Sequence, residues 1–140
     1  MFIEMDLGNV VEPKPVPAGR YDVVIASATF NGEKNYIRCS LGIQGHMDAP
    51  NVNHFISLPK RDDDGQKVQF KQLMLKRFLT QFNVQYDPAS GFAVEDLQGA
   101  AANVQLVLTA PDDNGVVYNE MVVEKMHDEP TKAPTRNKKA

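Results

Sequence analysis

The 140-residue chain predicts a mainly β domain, a five-stranded barrel in the order β-β-β-α-β-β with one amphipathic helix between the third and fourth strands. Three observations predict it. Apolar and polar residues alternate with the period of two that a half-buried strand demands, in three runs before residue 59 and two after residue 100. Between these groups the spacing changes to the threes and fours of a helix. An Asp-Asn-Gly turn joins the last two runs, as in a hairpin.

Proline stands at 13, 15 and 17, which favours an extended polyproline conformation and keeps the segment out of a central strand. Residues 1–17 are expected to form a Pro-rich arm, with room for a short edge strand before the prolines. The first barrel strand begins at Gly19-Arg20, with Tyr21, Val23 and Ile25 on one face and Asp22, Val24 and Ala26 on the other. After the turn cluster Asn31–Asn35 comes Tyr36–Ile43, the cleanest alternation: Ile37, Cys39, Leu41 and Ile43 point in, and Tyr36, Arg38, Ser40 and Gly42 point out. In the third run Val52, His54, Ile56 and Leu58 share one side, leaving Asn53, Phe55 and Ser57 on the other.

Residues 66–82 carry Phe70, Met74, Leu75, Phe78, Leu79 and Phe82 on one helical stripe, read as core packed on the barrel. Phe92–Leu97 adds a short helical turn. In the final pair Val104, Leu106 and Leu108 lie across Pro111-Asp112-Asp113-Asn114-Gly115 from Val117, Met121 and Val123, and Asn-Gly is a turn pair because both residues tolerate positive φ. Tyr118 and Glu120 fall on the outward side. The domain is assigned to 18–126, and 127–140 is expected to be a disordered basic tail, since prolines, charges and small residues leave nothing to pack.

Composition narrows the function. One cysteine, Cys39, cannot pair within the chain and falls on an apolar strand face, so a reducing cytoplasm and an inert thiol are expected. Met1–Leu7 has neither a basic leader nor a long apolar stretch, so a soluble, intracellular protein without a membrane partner is expected. The net charge of −3 lacks the basic signature of a duplex binder, while stacking leaves single-strand binding open. That charge is uneven: residues 126–140 carry four basic groups against two acids, and the rest is net acidic. His46, His54 and His127 stand apart from any cysteine or carboxylate at ligand spacing, and Asp62-Asp63-Asp64 lacks the glycine and closing Glu of a calcium loop. These three acids read as a solvated turn. No phosphate loop, nucleophile elbow or paired acids suggest catalysis, so a non-enzyme with no cofactor or metal is expected.

The element order is that of an OB-fold, whose second and third strands and the loops joining strands one-two and four-five bind single-stranded nucleic acid or sugars. On that face Tyr36 and Phe55 are candidates to stack on bases, and Arg38 to meet a phosphate or a base plane. Lys34, Lys60 and Arg61 lie where phosphates would run, with Lys132, Arg136, Lys138 and Lys139 of the tail adding charge. Tyr118 is a further stacking candidate. The competing reading of the same aromatic face is cross-strand packing, or a surface that docks a protein, as in a virion or assembly component.

The chain resembles the small OB-fold single-stranded-DNA-binding proteins of bacteriophages, from Pro17 to about Glu124. The resemblance rests on Pro17-Ala18-Gly19-Arg20-Tyr21, on Leu97-Gln98-Gly99 and on Asn114-Gly115-Val116-Val117-Tyr118-Asn119-Glu120-Met121. It implies an accessory of DNA replication or recombination that coats single strands without sequence preference. It also implies replication or recombination proteins as partners and, for a phage-encoded chain, the host cytoplasm as its location. A homo-oligomer is left open. Bacterial single-strand-binding proteins end in an acidic tail that recruits partners, whereas this chain ends Thr135-Arg136-Asn137-Lys138-Lys139-Ala140, which favours a tail that itself touches nucleic acid.

Overall fold

The computed structural model describes residues 1–126. The expected basic tail, with His127 and the four tail cations, lies outside the described residues. The strands are β1 (Gly19–Asn31), β2 (Tyr36–Ile43), β3 (Val52–Ser57), β4 (Ala101–Leu108) and β5 (Asn119–Met121), and α1 (Gly65–Gln81) lies between β3 and β4. All pairings are antiparallel, in the order β3-β2-β1-β4-β5. The two edge strands, β3 and β5, come together and nearly close the sheet into a barrel, the OB-fold-like arrangement the element order predicts. No helix among the described residues is long and apolar enough to cross a membrane.

β1 serves both halves of the barrel. Gly19–Val24 pairs with β4, and Val23–Asn31 pairs with β2. Between Ile25 and Ser27 the register slips by one residue, a β-bulge. Val23 and Ile25 are buried before it, and after it Ala28 faces the buried Cys39. The bulge thus bends β1 and reverses the parity of its side chains.

The core combines Val23, Ile25, Ile37, Cys39, Leu41, Val52, Val104 and Leu106 from the sheet with Phe78 from α1 and Leu97 from a 3-10 turn over Val94–Leu97. Burial pushes the Cys39 thiol up to about 11, so it remains a protonated, apolar core group near neutral pH. His54 is half-buried with its ring stacked on that of Phe78, centroids 5.2 Å apart, and desolvation lowers its pKa.

Only the C-terminal half of α1 packs as expected. Phe78, Leu79 and Phe82 are buried, but Phe70 is 61 % exposed, which corrects its assignment to the core. Eight residues of helix separate Phe70 from Phe78, about 12 Å along the axis, and at that distance Phe70 stands at the open edge of a cleft between α1 and β3. The acids before the helix are not a free turn either. Asp64 is the N-cap, accepting from Lys67 N at 2.8 Å, while Asp63 accepts from Lys60 N at 2.8 Å and pairs with Lys71 Nζ at 2.7 Å. That pairing holds the Asp63 carboxyl below the ordinary carboxylate value.

No residue of the arm joins a strand. Its base is pinned instead. Val16 is buried, its N–H donates to Asn119 Oδ1 and its carbonyl accepts from Asn119 Nδ2, both at 2.9 Å, and Tyr21 Oη donates to Pro17 O at 2.7 Å. β5 has only three residues, fewer than the alternation suggests. The hairpin before it turns on Asp112, whose carboxylate accepts from Asn114 N and Val116 N. Gly115 has φ +78°, whereas Asn114 is not among the positive-φ residues, so the turn is organised by an Asp cap and a single glycine.

Candidate nucleic-acid interface

The outer face of β2 and β3 is built by parity. Because Ile37, Cys39 and Leu41 turn into the barrel, Tyr36, Arg38 and Ser40 must turn out; opposite them lie Ser57, Phe55 and Asn53 in register. Tyr36 and Phe55, diagonal across the strands, meet edge to face with centroids 5.4 Å apart and planes at 74°. Phe55 remains 53 % exposed, so one side of its ring is braced while the rest stays accessible. Arg38 donates from Nη2 to Asn53 Oδ1 at 3.1 Å, which holds its guanidinium along the strand direction beside Phe55.

The basic candidates gather at one end of this face. Lys34 is exposed in the turn between β1 and β2, where its backbone N–H donates to Asn31 Oδ1. The same turn is tied to the segment after β3, since Leu58 N donates to Asn35 O and Asn35 Nδ2 to Pro59 O at 2.7 Å. Asn35 takes φ +58° to make this contact. Lys60 and Arg61, both exposed, therefore stand beside the turn that carries Lys34, at the Tyr36 end of the pair of strands.

The opposite end holds a groove of about 400 Å³ between β3 and the β4–β5 hairpin. Asn51, Asn53, Thr109, Tyr118, Asn119 and Glu120 line it, with Pro15 of the arm and Pro50 at its rim. Tyr118 is 53 % exposed, and its backbone is fixed on both sides: its N–H donates to Thr109 Oγ1 and its carbonyl accepts from Thr109 N. The path thus runs from cations, over two aromatic rings and an arginine, into a cleft rich in amides with a third aromatic ring.

The seven residues chosen from the sequence lie on this path, whereas the amides of the groove were not among them. Asn53 was legible as outward by parity. Asn119 was not, because an Asn on the inward side of a strand gives no signal of the partner chain segment that satisfies it. The chain matches no protein-family model and no curated protein sequence.

Proposed function

We propose that the chain is a non-catalytic single-stranded-DNA-binding protein, of the kind bacteriophages use in replication or recombination. The observation that carries the reading is the Tyr36–Phe55 pair, two rings set on the paired strands β2 and β3 with Phe55 half open to solvent. A flat, exposed ring on a β-barrel face suits bases of any identity, because every base has a π-face, and stacking contributes about 1–3 kcal/mol per base. Lys34, Lys60 and Arg61 at one end supply phosphate contacts, Arg38 lies beside the rings, and Tyr118 receives a further base at the groove. Asn51, Asn53 and Thr109 supply hydrogen bonds there that tolerate several base edges.

A face of this kind binds with affinity and little sequence preference. Its acidic surroundings, including Glu120 in the groove, disfavour the dense phosphate array of a duplex. The test is fluorescence anisotropy of a labelled dT oligomer titrated at low and moderate salt, with a duplex of equal length as control. Binding confined to the single strand is expected, with four cationic contacts giving a log-log salt slope of about −3. Absence of binding at low salt contradicts the proposal and leaves the aromatic face to protein docking.

A further inference from the structure

Two groups of exposed apolar side chains stand out among the described residues. One is the arm, where Phe2, Ile3, Met5, Leu7, Val10 and Val11 are all exposed. The other is a cleft of about 170 Å³ between β3 and α1, with exposed Phe55 and Phe70 at its lips and Met74 and Val123 in its wall. We propose that residues 2–7 of one copy of the chain cover this Phe55–Phe70 cleft of a second copy.

Three features match the pieces. Ile3, Met5 and Leu7 alternate with Glu4 and Asp6, a strand-like pattern that offers one apolar side to a cleft beside an edge strand. β3 is such an edge, hydrogen-bonded through β2 alone although β5 approaches its other side. Charge is complementary: Glu4, Asp6 and Glu12 are accompanied by no Lys or Arg before Lys14, whereas exposed Lys67 lies one turn of α1 before the cleft residue Lys71, itself paired with Asp63, and exposed Arg38 stands opposite Phe55 on β2. Residues 1–14 of the arm are all exposed, so their own barrel does not cover them. Val16 is pinned to Asn119, and the alternating prolines before and after it form a stiff spacer of about 3 Å per residue that carries residues 1–12 outward. The arm's apolar side chains are thus left uncovered by their own copy and are open to a second.

The inference does not depend on nucleic-acid binding, and its test contains none; because both use Phe55, an arm seated in the cleft competes with a base for that ring. Sedimentation equilibrium of the full chain, carried to about 0.5 mM so that even an interface at the weak end of the size range is populated, is expected to give a mass rising with concentration. The paired substitution Ile3→Asp with Met5→Asp, and separately Phe70→Asp, are each expected to abolish the rise. All three positions are exposed, so folding is retained and is checked by circular dichroism. Mixing the two variants is expected to restore association, because one supplies an intact arm and the other an intact cleft. A wild-type chain that stays monomeric overturns the proposal. So does association that survives either variant, or that fails to return on mixing.

Discussion

On the inner face of β2, Ile37, Cys39, Leu41 and Ile43 are buried among side chains from β1, β3 and β4, while on the outer face Tyr36 meets Phe55 and accepts from Asn31 Nδ2, Arg38 donates to Asn53, and both remain partly open. The same eight residues thus make a core and a surface. Inside, apolar area removed from water is contributed on folding, and the position is satisfied by the chain itself. Outside, rings and a guanidinium are held in place by pairing that the inner face stabilises, and their remaining apolar area is left for a ligand. Changes on the two faces should therefore separate stability from binding.

The largest effect is expected inside. Leu41→Ala removes a fully buried side chain and is expected to lower unfolding stability by about 2–5 kcal/mol in urea denaturation. The folded fraction should keep its affinity for dT within about threefold, the scatter expected of a site that the substitution does not touch. Outside, Tyr36→Ala and Phe55→Ala are each expected to weaken dT binding by about 1–3 kcal/mol by anisotropy. Loss of their mutual contact should cost about 0.5–1.5 kcal/mol of stability. Equal losses of stability and affinity in both sets would erase the distinction between the faces.

His54 sharpens the comparison, since it occupies the inward side of β3 yet can ionise. Its folded pKa is lowered from 6.5 by burial against Phe78, so below that value the unfolded chain takes up a proton that the folded chain does not. Stability is therefore expected to fall as pH drops from about 7 towards the lowered folded pKa, by the linkage between proton binding and folding. His54→Phe keeps the ring and should flatten that part of the denaturation profile. The smallest effect belongs to the cations. Lys34→Ala and Lys60→Ala are each expected to reduce the salt slope of dT binding by about 0.7, with little change in its base preference.

Much of this arrangement is legible in the sequence because strand parity is unforgiving. One inward residue in β2 assigns every other, and the register with β3 then puts Phe55 opposite Arg38. Periodicity fails where the chain departs from regularity. The bulge in β1 hides the inward position of Ala28, because the pattern reverses after Ile25. The helical stripe of 66–82 reports which face of α1 is apolar but not how much of that face is covered, so Phe70 read as core and lies exposed. The groove beside Tyr118 exists only once β3 and β5 come together, and Asn119 acquires its role only when Val16 arrives from more than a hundred residues away. These are tertiary facts with no local signature.

The central claim is that the outer face of β2 and β3, continued by the β4–β5 hairpin, binds the single strand. Titrating 15N-labelled protein with a short dT oligomer and following amide chemical shifts tests it most directly. Perturbations are expected to concentrate at residues 34–40, 51–61 and 109–120, with the amides of 94–99 unmoved. Shifts centred on that 3-10 turn, or none at saturating oligomer, would contradict it.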